Sequence, residues 1–334
     1  MDPPRRWRRI AGGVGRGFAL LLVICLTGWA AAALYFDLLS GSSLRTLGAS
    51  GYGIAMLGTL LAFRGSGKGI AICLAAFGLV VAWWLTLKPS NDRDWQPDVA
   101  QTAWAEIDGD RVTIHNVRNC DYRTEGDYTP HWETRSFDLS QIRGMDIFMT
   151  YWGSPWIAHP IVSFQFGDQD YIAMSIETRK EVGEVYSAVR GFFRYYELIY
   201  TVSDERDVVR LRTNFRKGEE TYLFHTRATP ERARATFLNY LQRINRIRNR
   251  PEWYNALTNN CTTNIAALAG EPEWDWRVLL NGRADQMLYQ RGDLATGNLP
   301  FAQLKEQAHI NAAALAADDA PDFSLRIRQG RAGF

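Results

Sequence analysis

The chain has 334 residues and a formal net charge of +2 at neutral pH. That length allows one sizeable domain plus something extra, and the charge leaves no nucleic-acid footprint. Hydrophobic residues make up 46% of the chain. They crowd into the first ninety positions, and the remainder reads as an ordinary soluble domain.

Residues 17–36, "GFALLLVICLTGWAAAALYF", carry no charge and have the length that a bilayer core demands. Residues 46–63 form a second uncharged run, interrupted by glycines, and residues 69–87 a third, with Trp83 and Trp84 as interfacial anchors. Arg5, Arg6, Arg8, Arg9 and Arg16 precede the first run, and Arg64 and Lys68 lie between the second and third. Both positive segments belong on the cytoplasmic side. Three transmembrane helices over residues 1–89 would then carry the chain from Lys88 outward. Were the second run not to cross, the soluble domain would face the cytoplasm. No small-residue cleavage site follows the first run, so an anchor is expected and not a cleaved signal.

The composition changes near Ser90, where "KPSNDRDWQPD" reads as a linker. A hairpin is predicted around Asp108-Gly109-Asp110 and a strand within residues 135–149. A second hairpin is predicted from "HPIVSFQF" and "YIAMSIE", joined by "GDQD". Residues 184–196 are helical in composition, and "YLFHT" is a short strand. Thr229 and Pro230 begin a long helix with an apolar stripe of Phe237, Leu238, Leu241, Ile244 and Ile247. Arg243, Arg246 and Arg250 fall on another face of it, read as solvated, with anionic lipid headgroups as the alternative partner. Pro251 ends that helix, Cys261 opens the next and Gly270 closes it. The fold class is α+β, with residues 90–310 as the soluble domain and 311–334 as a loosely ordered tail.

No Cys-x-x-Cys and no His-Glu-x-x-His occurs, the five histidines are scattered, and "RGSGKG" lacks the Walker spacing. No metal or cofactor is expected. Cys25 and Cys73 sit in the apolar runs as packing residues, which leaves Cys120 and Cys261. In an oxidising compartment the two could pair as a disulfide, or Cys261 could be a buried inert thiol. Alternatively Cys261, at the first turn of a helix, meets the positive end of the dipole and unpaired N–H groups, which lower a thiol's pKa and can hold an oxyanion. A nucleophile also needs a base, and His159 begins a strand that could face that helix. "SDERDVVR" packs four charges into residues 204–207. It reads as a solvated helix start or as a cluster near the site.

The pair "AHPIVSFQFGDQDYIAMSIETRKE" and "YNALTNNCTTNI", with "RNCDYR" and "YYELIYTVSDERDVVRLRTNF", resembles the Lnb N-terminal periplasmic domain family, whose namesake is a lipoprotein N-acyltransferase. The histidine-then-cysteine order is also similar to circularly permuted papain-like (NlpC-type) proteins. The resemblance implies an antiparallel sheet with a cysteine-bearing helix, Cys261 as acyl-accepting nucleophile and His159 as its base. The orienting residue would be Glu177 or Ser175 on the following strand. If Gln165 pairs with Tyr171, Glu177 falls across from His159, whereas a one-residue slip turns it to the other face. Glu177 is preferred, since a carboxylate would fix the imidazole tautomer and stabilise imidazolium. The implied function is thiol-based acyl transfer on a lipid or lipoprotein at a bacterial inner membrane, with the soluble domain in the periplasm. A thiol hydrolase with the same dyad, or a non-catalytic binding domain with a Cys120–Cys261 disulfide, are the alternatives.

Overall fold

The computed structural model describes residues 5–38, 42–64, 66–270, 275, 277 and 281–334, with the side chains of residues 5–12 and 42 excepted. The side chains of Arg5, Arg6, Arg8 and Arg9 therefore lie outside the described residues. The chain divides into two units: residues 1–89 with 187–195, and residues 90–186 with 196–334.

In the first unit, α1 (Arg5–Asp37), α2 (Ser42–Ala62) and α3 (Lys68–Thr86) follow one another. Among the described residues, two segments, Gly13–Asp37 and Lys68–Thr86, are long and apolar enough to cross a membrane. The three expected spans thus reduce to two by composition. The second run is helical, but Arg45 and the glycines at 48, 51, 53 and 58 dilute its apolar character. Contacts fix the directions of the helices. Val23, Met56 and Cys73 share one buried cluster, Trp29 stacks edge-on against Phe77, and Trp84 Nε1 donates to Asp37 Oδ2 at 2.6 Å. Positions in α1 and α3 rise together, so these helices run parallel and α2 returns between them. Residues 184–196, expected to be helical, hold only a short 3-10 turn at Arg190–Phe192. Phe193 packs on Trp29 and Phe36. Arg194 lies over the Trp84 ring and donates to the Trp84 and Leu87 carbonyls. Aromatic and arginine contacts, and not helical periodicity, determine that segment.

The second unit carries ten strands: β1 (Trp104–Asp108), β2 (Arg111–Arg118), β3 (Asp121–Tyr122), β4 (Tyr128–Thr129), β5 (Trp132–Asp138), β6 (Ile142–Trp152), β7 (Ala158–Phe166), β8 (Asp170–Arg179), β9 (Glu197–Ser203) and β10 (Glu219–His225). Its helices are α4 (Glu205–Arg210), α5 (Pro230–Asn249), α6 (Cys261–Leu268), α7 (Ala284–Arg291), α8 (Phe301–Ala308), α9 (Asn311–Ala317) and α10 (Phe323–Arg326). Eight strands form one sheet in the order β1-β2-β9-β8-β7-β6-β10, with β5 on β2. Apart from a single parallel pair between β2 and β9, the ladders are antiparallel. This is a mixed α+β unit with a mostly antiparallel sheet.

Both hairpins form. Asp108 pairs with Arg111 across a turn in which Gly109 takes φ 59°, a left-handed conformation that costs glycine nothing. Phe166 pairs with Asp170, so the second loop is shorter than the expected four residues. The strand-like stretch at 135–149 resolves into β5 and β6, separated by a turn that Asp138 caps. Phe237, Leu241, Ile244 and Ile247 of α5 are buried as the stripe requires, whereas Leu238 is only half-buried. Phe164 and Phe166 meet Phe237 edge-on on that face of the sheet. The opposite face packs Phe148, Ile161 and Leu223 against Ile310, Ala314, Phe323 and Ile327. Residues 311–334, expected to be a loose tail, therefore supply part of the core. Their alanine-rich runs are small enough to lie flat against the sheet.

Candidate active site

The Asn-Cys-Thr-Thr box is first of all a helix start. Asn260 caps α6, its side chain accepting from Thr263 N at 2.9 Å, while Thr263 Oγ1 accepts from Asn260 N at 3.0 Å. This reciprocal cap satisfies two orphan donors and puts Cys261 at the first helical position. Asn264, one turn on, accepts from Tyr200 Oη at 2.8 Å and donates to Asn259 Oδ1 at 2.8 Å, tying α6 to β9 and to the preceding loop.

His159 and Glu177 come from the β7–β8 hairpin. The register pairs Gln165 with Tyr171 and ends at Ile161 with Ser175. Pro160, which has no N–H to donate, stands where the pairing stops. Carried two residues further, that register puts Glu177 across from His159, and Glu177 Oε1 lies 3.7 Å from His159 Nε2. Ser175 sits between them. His159 Nε2 is 2.7 Å from Ser175 Oγ, and Ser175 donates to Glu177 Oε1 at 2.7 Å. A hydroxyl has one proton. Since Ser175 gives it to the carboxylate, Nε2–H must donate to Ser175, which leaves Nδ1 with the free lone pair. The two candidates for the orienting position therefore act in series.

Beyond the hairpin, β7 and β8 open apart around a cavity of about 600 Å³. Ala158, His159, Ile176, Glu177, Arg212, Tyr254, Cys261 and Asn281 are among its lining residues. Strand alternation puts His159 and Glu177 on one face of the sheet and Ile176 on the other, with Tyr200, its partner on β9. Because α6 is tied to Tyr200, Cys261 and His159 reach the cavity from opposite faces. Among the described residues, no hydrogen bond joins them. The Cys261 sulfur meets Thr262 Oγ1 at 3.8 Å and Asn281 Nδ2 at 3.9 Å.

The electrostatics differ from the expectation for a helix-start thiol. Burial raises the Cys261 pKa, and the local N–H groups and Arg212, which pull it down, do not offset that. The thiol rests protonated. Burial, with the charge of Arg212, pushes His159 down to about 3, so its imidazole is neutral and able to accept a proton. Glu177 is also buried, but the charge of Arg212, with that of Arg118, outweighs burial and holds it ionised, well below the usual carboxylate range. Arg212 bridges Glu177 at 3.3 Å and Glu219 at 3.2 Å.

The remaining sequence candidates resolve elsewhere. Cys120 and Cys261 are both free thiols. Cys120 lies beside Asp207 and Tyr122, where burial and the neighbouring carboxylate push it up to about 12. The acidic run is not a solvated helix start. Asp204 caps α4 and pairs with Arg135 at 2.9 Å. Glu205 and Asp207 are fully buried against Arg328 and Arg118, both at 2.6 Å. Arg243 of the arginine face donates to Glu252 from both terminal guanidinium nitrogens. Sequence reasoning missed Arg212 and Asn281. Nothing in their local sequence distinguishes them, because their partners lie far away in the chain.

Residues 128–282 match the family model of the Lnb N-terminal periplasmic domain. That span takes in the strand hairpin with His159, the capped Cys261 helix and Asn281. No curated protein and no solved structure matches the chain. A periplasmic-type domain behind two helices apolar enough to cross a membrane fits a membrane-associated periplasmic protein.

Proposed function

We propose that the soluble domain is a cysteine acyltransferase of permuted papain-like type, held at the bacterial inner membrane by α1 and α3, with α2 crossing back between these parallel helices so that the domain faces the periplasm. Its acyl donor is a lipid ester, and its acceptor is an amine of a lipid-modified protein. The observation that carries this reading is the shared cavity: a capped helix-start thiol and a neutral imidazole oriented by Ser175 and Glu177 both line it. The family match and the apolar helices support a site that works on bilayer-embedded substrates.

In the first half-reaction, His159 Nδ1 takes the thiol proton and Cys261 Sγ attacks the ester carbonyl carbon. The S–C bond forms as the carbonyl π pair moves to oxygen. Collapse of that oxyanion breaks the C–O bond, and the leaving alkoxide receives the proton from His159. The acceptor amine then attacks the thioester carbon, the thiolate leaves, and one amine proton returns to it by way of His159. Because the resting thiol and imidazole are both neutral, proton transfer accompanies attack and no preformed ion pair is required. Hydrogen bonds of this kind tighten in the substrate complex.

The test is intact-mass analysis of the full-length chain in detergent with a labelled phospholipid. A covalent acyl adduct on Cys261, absent in Cys261→Ala and slowed at least about a hundredfold in His159→Ala, is expected. Failure of any adduct to form would sink the thiol reading. If the adduct forms but is resolved by water in the presence of amine, the protein is a hydrolase with the same dyad. Sidedness is checked with protease added to spheroplasts. The domain should be digested, and its protection would put it in the cytoplasm.

A further inference from the structure

Asn281 lines the same cavity as Cys261 and His159. This side chain is held at both ends. Its Oδ1 accepts from Ala158 N at 2.8 Å, and its Nδ2 faces the Cys261 sulfur at 3.9 Å. The Ala158 contact determines which end of the carboxamide is which, because an N–H can only donate to the oxygen. The NH₂ group is thereby aimed at the thiol and into the cavity.

The next residue shows how tightly this placement is built. A Cβ on Gly282 would stand 2.4 Å from the Pro155 carbonyl oxygen and 2.4 Å from the Trp156 carbonyl carbon. Those neighbours are backbone and cannot rotate away. Gly282 N donates to Trp156 O at 3.1 Å, and Gly282 O stands 3.2 Å from Tyr151 Oη. That hydroxyl gives its one proton to Asp285 Oδ2 at 2.7 Å, and Asp285 is itself paired with Lys305 at 2.6 Å. The loop is clipped onto the approach to β7, one residue from His159.

We propose that Asn281 is a catalytic residue, its carboxamide N–H donating to the oxyanion that forms when Cys261 attacks an acyl carbonyl. The inference rests on the thiol reading above and extends it. A working oxyanion donor stands about 2.7–3.1 Å from the oxygen that acquires the charge. That oxygen is on the carbon bonded to sulfur, so a donor 3.9 Å from the sulfur itself leaves room for it between them. The backbone N–H of Cys261, at the open start of α6, is the natural second donor. One donor comes from the helix and the other from the loop.

The test separates acylation from alkylation in the full-length chain in detergent. A p-nitrophenyl acyl ester acylates the thiol through a tetrahedral oxyanion. Iodoacetamide alkylates the same thiol at a saturated carbon, where no oxyanion forms. Asn281→Ala is expected to slow the p-nitrophenol burst by about 10²–10³-fold while changing iodoacetamide labelling of Cys261 by less than about threefold. Asn281→Gln, with the donor kept but displaced, should fall between. Equal losses with both reagents would mean that Asn281 only shapes the site, and the proposal would fall. An unchanged burst in Asn281→Ala would remove the oxyanion role and leave the nucleophile standing. A wild-type chain that alkylates but never releases p-nitrophenol would overturn the thiol reading, and this inference with it.

Discussion

Two clusters of buried charge lie within the same unit, and they are built from the same residue types. In the first, Arg118 meets Asp207 through three hydrogen bonds, and Asp207 also accepts from Cys120 N and Tyr122 Oη. Arg328 likewise binds Glu205 and Asp146, with Ser163 donating to Glu205. The second cluster is His159, Ser175, Glu177 and Arg212, which opens on the cavity. There Arg212 Nε is buried without a partner, and His159 bonds Ser175 through Nε2, which leaves its other nitrogen free to accept. A charge cluster that only stabilises a fold satisfies its members completely. One that acts on a ligand keeps some bonding capacity in reserve. The closed cluster is read here as structural and the open one as functional.

The largest effect should come from breaking the closed cluster. Asp207→Asn leaves the Arg118 guanidinium buried beside a neutral amide, and thermal unfolding should show a loss of about 3–5 kcal/mol. Replacing both partners together, as Arg118→Met with Asp207→Leu, should recover most of it. A loss under about 1 kcal/mol in the single variant would erase the distinction between the clusters.

The open cluster should appear as a pH slope. Folded His159 takes its proton near pH 3, against 6.5 for the free side chain. Between those values the unfolded chain binds more protons, so stability falls as pH drops through that window, by about 1.4 kcal/mol per unit at most. Depression of Glu177 adds to the loss on the acid side. Unfolding at pH 7, 5.5 and 4.5 should give a shallower slope for His159→Asn than for wild type. Equal slopes would show that the imidazole titrates normally.

A smaller stability effect, with a large effect on reactivity, is expected for Glu177→Gln. The substitution keeps the hydrogen-bonding shape and should cost about 1–2 kcal/mol. It should slow the p-nitrophenol burst on the order of a hundredfold, because Ser175 is then free to turn its proton toward His159. If stability falls as far as in Asp207→Asn while the burst is unchanged, the assignments of the two clusters are reversed. The smallest effect belongs to Gly109→Ala, which forces a Cβ into a left-handed turn and should cost about 1 kcal/mol with no change at the cavity.

What could be read from the sequence divides along the same line. Hairpins, the Thr229 cap and the cysteine-bearing helix follow from residues within a few positions of each other. The register at Gln165 and Tyr171 was legible as a condition, because alternation turns one pairing into a whole face. The acidic run stays open between a solvated start and a cluster because its partners, Arg118 and Arg328, lie 89 and 123 residues away from Asp207 and Glu205. The thiol was expected to be acidic because the dipole is local, whereas the burial that outweighs it is tertiary. Asn281 gave no signal, since its meaning comes from Ala158, 123 residues earlier. The tail looked loose because its alanines and aspartates carry no strong periodicity. Its order comes from the sheet that it covers.

The salt bridge of Arg328 also sets an order of events in time. Asp146 is made 182 residues before the arginine that neutralises it. At the usual rates of chain synthesis, that gap is on the order of ten to forty seconds. Throughout it, β6 and α4 carry carboxylates that cannot be buried without cost, so this face of the sheet stays open to solvent until the last helices arrive. The β7–β8 hairpin holding His159 can form early. The core beneath it closes only when residues 310–328 dock, and their arrival, not formation of the hairpin, is the step that commits the domain.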